Sequence, residues 1–164
     1  MSALANGTQK YTLSCLVENQ FGVLVRIAGL ISARGFNIDS LSVSTTEDPT
    51  VSRMTIVVEA DAIKLEQVKN QLNRLIDVID VKELKENAFF DRELLLAKVQ
   101  AKDERHGELA AILKPFDAKI ADKYNGLVVI EATGNSGTLD RLVDQLRAFG
   151  ISTLVHTGRV ALER

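Results

Sequence analysis

The spacing of apolar residues changes period in a fixed order along this chain, and does so twice. In YTLSCLVE, residues 11–18, Tyr11, Leu13, Cys15 and Val17 alternate as one face of a strand does. Beyond a polar turn, Leu24, Ile27, Ala28 and Ile31 recur at helical spacing, and Gly35 supplies a C-terminal stop. Ile38 to Thr45 reads as a strand, and TTEDPT as a loop, because Asp-Pro interrupts both helix and strand. Arg53 to Ala60 alternates again. Asp61 suits the cap of a helix striped by Leu65, Val68, Leu72 and Leu75, and Val78 to Leu84 closes the series. The order β-α-β-β-α-β is that of a ferredoxin-like split βαβ sandwich.

After KELKENAFFDRE, whose charge suggests a connecting segment, the order repeats. Glu93 to Ala101 reads as a strand and Glu104 to Leu113 as a helix stopped by Pro115. Ala118–Tyr124 and Leu127–Thr133 flank Asn125 and Gly126, a strong hairpin signal. Leu139, Leu142, Val143, Leu146 and Phe149 stripe a second helix ending at Gly150, followed by strands Ile151–His156 and Arg159–Leu162. The expected fold class is therefore α+β, as two ferredoxin-like sandwiches: residues 10–85, a linker at 86–92, and residues 93–164. Domains of this size gain from dimerisation.

Composition removes several functions. Net charge is −2, with no basic excess to neutralise a phosphate backbone, and aromatic residues are only 5%, too few for base-stacking platforms. Nucleic acid is therefore not an expected partner. A single cysteine excludes an internal disulfide and fits a reducing compartment. MSALANGTQK has no apolar leader core and no segment is long enough to span a bilayer, so no membrane association is expected and the expected location is cytoplasmic.

Catalytic constellations are thin. His106 and His156 lie far apart without a partner at metal-ligand spacing, and Cys15 falls on an apolar strand face. No phosphate loop, dinucleotide fingerprint or GxSxG turn occurs. The expectation is a protein with no catalytic residue and no metal site.

The turn NQFG carries the most specific chemistry. A helix start exposes unpaired N–H groups and a partial positive charge, and glycine lets a ligand reach them. Gly22 followed by Val23, Leu24 and Val25 offers such a start, with Asn19 before it and Asn37 and Ile38 beyond the helix. The amides suit a carboxylate or an ammonium, and Leu24, Val25 and Ile38 offer apolar lining. A small amino acid with an apolar side chain fits this set better than a nucleotide. The same residues also suit plain structural work, with Asn19 a cap, Gly22 a turn and Asn37 a left-handed residue, and spacing alone leans toward that. The run ATGNSGTLDRLVDQLRAFGISTL looks similar, but it opens the second helix of its half, so shared helix punctuation explains the likeness.

VENQFGVLVRIAGLISARGFNIDSLSV, DPTVSRMTIVV and RELLLAKVQA together strongly resemble the small regulatory subunits of acetolactate synthase, from about Tyr11 to Leu162. The resemblance implies that the first half is an ACT domain, which in this family pairs into homodimers and binds a feedback inhibitor, usually valine, at the dimer interface. Its ligand positions map onto Asn19, Gly22, Val23, Leu24, Asn37 and Ile38. Val25 departs from relatives that carry a small hydroxyl residue there, which removes a contact and leaves backbone binding intact. The resemblance further implies a non-catalytic subunit. It would activate a catalytic acetolactate synthase chain, and that partner would carry thiamine diphosphate, FAD and magnesium. The TTEDPTVSR loop is one place where such a partner would touch. The alternative on the same pocket is a free-standing ACT-domain sensor of amino acids that regulates a different enzyme. A small enzyme or nucleic-acid binder on the same sandwich is the remaining class, and fold alone does not decide among them.

Overall fold

The computed structural model describes residues 9–101 and 103–164, with the side chain of Asp103 also outside the description. The N-terminal stretch MSALANGT, read above as lacking a leader, lies outside the described residues. The described residues divide into two compact units, one within residues 91–160 and the other formed by residues 9–90 with 161–164.

In the first unit the order is β1 (Gln9–Glu18), α1 (Val23–Ala33), β2 (Ile38–Thr45), β3 (Val51–Ala60), α2 (Ala62–Leu72) and β4 (Val78–Leu84). The sheet order is β2-β3-β1-β4. Each helix therefore connects two strands with a third between them, which is the split βαβ arrangement twice over. β1 lies antiparallel to β3 in continuous register from Gln9 opposite Ala60 to Glu18 opposite Val51. One face of β1 and β3 (Leu13, Cys15, Val17, Met54, Ile56, Val58) meets the helix stripes Val23, Ile27, Ile31 and Leu65, Val68, Leu72 in a single buried cluster. The two periods read from the sequence are thus the two sides of one core.

The second unit repeats the plan with β5 (Phe89–Gln100), α3 (His106–Leu113), β6 (Lys119–Tyr124), β7 (Leu127–Gly134), α4 (Ser136–Leu146) and β8 (Ile151–His156) in the order β6-β7-β5-β8. Its core gathers Leu95, Ala97 and Val99 with Leu109, Leu113, Ile130, Leu139, Leu142 and Phe149. Asn125 and Gly126 take φ of 50° and 75° in the β6–β7 turn, the left-handed pair that a two-residue hairpin favours. A final strand β9 (Val160–Glu163) pairs with β5.

Several boundaries move. Residues 86–92, expected as a linker, hold a turn in which the Ala88 N–H donates to the Lys85 carbonyl (2.9 Å) and Asn87 takes φ 67°, and then the start of β5. The charge of this stretch suggested a connection, yet Phe89, Asp91 and Glu93 alternate in burial with Phe90 and Arg92, as strand residues do. The helix expected from Glu104 begins instead as a 3-10 turn, Asp103–Arg105, and becomes α-helical at His106. The C-terminal residues 161–164 belong to the first unit: the Arg164 N–H donates to the Ala88 carbonyl (3.0 Å) and Glu163 pairs with Lys82 (2.6 Å).

Candidate functional site

The four residues between β1 and α1 are Asn19, Gln20, Phe21 and Gly22. Gly22 is the N-cap of α1 and takes φ 82°, a conformation open to glycine and costly for residues with a Cβ. A Cβ built there would meet nothing within 4 Å, so the approach to the helix start is open. No side chain caps the helix and no acid lies in its first turn. The Val23 N–H reaches the Gln20 carbonyl at 3.5 Å, and the Arg26 N–H begins the helical ladder on Gly22 (3.0 Å). Among the described residues no acceptor engages the N–H groups of Leu24 and Val25. Two orphan donors and the positive end of a helix dipole thus face an unobstructed approach.

Asn19 is tied down on one side only. Its backbone N–H donates to the Thr50 carbonyl (2.7 Å) and its side-chain Nδ2 to the Pro49 carbonyl (2.9 Å). The amide Oδ1 and one N–H are left over, enough to meet an ammonium or a carboxylate. The loop it grips is itself rigid: Thr50 donates from both N–H and Oγ1 to Asp48 Oδ1 (2.8 and 2.6 Å). Those bonds, the Thr50 side chain first, hold the Asp48 carboxyl below its ordinary range.

The expected lining residues separate by role. Val23 is buried in the core, so it offers only its backbone. Leu24 and Val25 point outward, at 42% and 73% exposure. Ile38 is half-buried against the core and Asn37 is exposed. Asn37 is not left-handed: the turn after α1 places Gly35 at φ 76° instead. Among the described residues its side-chain amide has no hydrogen bond.

Distance divides the set into two groups. Glu18, next to Asn19, lies opposite Val51, and Ile38, next to Asn37, lies opposite Val58. Seven strand residues separate those positions, about 23 Å at ~3.3 Å per residue. Asn19 with Gly22 and Asn37 with Ile38 therefore occupy opposite ends of one sheet. A single amino acid cannot touch both groups within one chain. β2 is an edge strand, so its Asn37 end is accessible to another chain.

One residue at the helix start, Arg26, is exposed and yet tied to a partner that the sequence reading did not name. Its guanidinium lies 2.7 Å from an Asp77 carboxylate oxygen, and the Asp77 side chain is 10% exposed. The signal was present: Asp77 is the one charged residue in the apolar run from Leu75 to Ile79.

The other reactive groups are accounted for. Cys15 is buried, and burial, aided by the Asp80 charge, pushes its thiol up to about 12. His106 is part-buried, with Nε2 3.1 Å from the Ala101 carbonyl. His156 Nδ1 lies 3.7 Å from Glu93. No group of three His, Cys, Asp or Glu among the described residues is arranged to hold a metal, and no helix there is long and apolar enough to cross a membrane. In the second unit, the Asn135 side chain accepts from the Thr138 N–H (2.9 Å) and closes the α4 start that resembled NQFG in sequence.

Comparison with known proteins agrees across the whole fold. Residues 13–80 match the AHAS small subunit-like ACT domain, and residues 92–164 match the small subunit of acetolactate synthase. A probable acetolactate synthase small subunit of Archaeoglobus fulgidus is 46% identical over 155 residues, covering 94% of this chain and 97% of that one. The acetolactate synthase small subunit of Mycolicibacterium smegmatis is 43% identical over 161 residues, covering 98% and 95%. The crystal structure of the acetolactate synthase small subunit from Thermotoga maritima superposes with a TM-score of 0.85 at 32% identity, covering 95% of this chain and 98% of that one. Both units, their order and nearly their full length are shared, and the chain belongs to the family of acetolactate synthase small subunits.

Proposed function

We propose that this chain is the regulatory, non-catalytic subunit of an acetolactate synthase, and that it activates the catalytic chain and confers feedback inhibition by valine. Thiamine diphosphate, FAD and magnesium belong to the catalytic partner in this reading. The observation that carries it is the uncapped start of α1, where Gly22 exposes the Leu24 and Val25 N–H groups to an incoming carboxylate.

The effector sits between two copies of the chain. One copy supplies the helix start and Asn19, and the other supplies Asn37 and Ile38. The carboxylate docks on the N–H groups after Gly22, the amides share the ammonium and carboxylate, and the isopropyl group packs beside Ile38. Each ligand thus binds one pairing of ACT domains better than another. That difference is transmitted to the catalytic chain as a coupling of about 1–3 kcal/mol, enough for strong inhibition without remodelling the fold.

Complementation tests this arrangement. Gly22→Asp breaks one half of the shared site and abolishes valine binding, and Asn37→Ala weakens binding through the other half. A mixed dimer of the two keeps one intact site and recovers about half the binding stoichiometry in isothermal titration. Failure to recover any site means that the two groups of residues do not form one shared effector site. Co-purification with a large thiamine-diphosphate enzyme separates this role from that of a free-standing amino-acid sensor.

A further inference from the structure

We infer that Asp77 and Arg26 form a clamp that holds the β1–α1 loop in its anion-binding geometry, which makes both of them positioning residues for the effector. The inference rests on the effector reading above and extends it to residues outside the ligand set.

Asp77 grips both ends of the loop. Its backbone carbonyl accepts from the N–H of Glu18, the last residue before the loop (2.8 Å), and its carboxylate meets the guanidinium of Arg26 on the first turn beyond it (2.7 Å). It is the one carboxylate in the buried set of described residues. Arg26 at the other end is half-exposed.

The loop supplies little rigidity of its own. Its internal bonds are Gln20 N–H to the Glu18 carbonyl (3.0 Å) and the long Val23 contact with Gln20 (3.5 Å), while Phe21 is fully exposed. Restraint comes from outside, from Asn19 on Pro49 and Thr50 and from the Asp77 clamp.

Stability explains this pair poorly. A half-buried ion pair recovers little beyond the desolvation of its carboxylate. A cation in the first turn also opposes the helix dipole. What the pair does supply is a fixed spacing between the end of β1 and the first turn of α1, and that spacing sets where the Leu24 and Val25 N–H groups point. Preorganised donors bind an anion without the cost of ordering a loop.

The test uses the small subunit reconstituted with its catalytic chain, and compares Asp77→Asn, Arg26→Gln, Arg26→Lys and Gly22→Asp. Asp77→Asn and Arg26→Gln are expected to speed amide hydrogen exchange in residues 19–25 and to raise the half-inhibiting valine concentration at least tenfold. Sensitivity should fall by more than valine-free activation, and Arg26→Lys should restore most of it. Unchanged sensitivity in Arg26→Gln, or sensitivity and activation lost in equal proportion, would overturn the clamp. Arg26 is exposed enough for its variants to decide the matter if Asp77→Asn does not fold. Where Gly22→Asp abolishes sensitivity and the clamp variants do not, only the clamp fails. Where Gly22→Asp leaves sensitivity intact, the effector site itself is misplaced and the clamp's role falls with it.

Discussion

α1 and α3 hold the same place in two copies of one topology, yet their starts are built differently. α1 begins on a left-handed glycine with no side-chain cap and no acid in its first turn. α3 also lacks a side-chain cap, but it carries Glu108 in its first turn, with a carboxylate oxygen 3.0 Å from Arg105 Nε. That acid already complements the helix dipole, and the Arg105 bond holds its carboxyl below the ordinary range. The second helix of each unit is closed as well, α2 by Asp61 and α4 by Asn135. Among the described α-helices, the repeated fold therefore presents one start with neither cap nor acid. The contrast singles out the start of α1 by its geometry alone, without any appeal to the family.

Gly22→Asp breaks the contrast most severely. An aspartate there places a carboxylate at the two orphan N–H groups and competes with the effector's own carboxylate. Valine inhibition should disappear, with affinity reduced more than a hundredfold by isothermal titration. Because a Cβ at Gly22 meets no neighbour, the structural cost is confined to the left-handed backbone, about 1–2 kcal/mol. A variant that keeps full sensitivity would show that the effector does not use this helix start.

Asn37→Ala comes next. Removing an amide that bonds a charged group is worth about 1.5–3 kcal/mol in affinity. Since the Asn37 side chain is exposed, the melting temperature should not change. Asn135→Ala should do the reverse: it removes a filled cap, costs about 1 kcal/mol of stability, and leaves valine binding alone. Calorimetry and titration on the two variants form a crossed pair. Matching effects in both would erase the difference between a ligand residue and a cap.

These residues also show where sequence reading stops. Period and punctuation were sufficient for the sheet topology, because each core face is a local pattern: Leu13, Cys15 and Val17 lie two apart, and Leu65, Val68 and Leu72 three or four apart. Charge misled at residues 86–92, where Phe89 and Phe90 already belong to a strand. The NQFG and GNSG turns look alike in sequence and differ in the fold, since only Asn135 turns its side chain back onto the helix it precedes. The Asp77–Arg26 pair was illegible as a pair, because fifty-one residues separate its members and only tertiary packing joins them. By contrast, Asn19 and Asn37 frame one helix, whose own length already holds them at opposite ends of the sheet.

The smallest predicted effect separates the two filled caps by charge. Asp61 caps α2 by accepting the Lys64 N–H (2.8 Å), and that bond is the first cause of a carboxyl held below its ordinary range. A depressed folded value means that the cap's contribution is fully present above the unfolded value of about 3.9 and is lost as pH falls through the folded one. Asn135 closes α4 with a neutral amide that does not titrate. In thermal melts from pH 7 down to pH 3, the penalty of Asp61→Ala should therefore shrink below about pH 4. The penalty of Asn135→Ala should stay level. An Asp61→Ala penalty that stays equally level would mean that the α2 cap works through hydrogen-bond geometry alone and that its charge adds nothing to the helix.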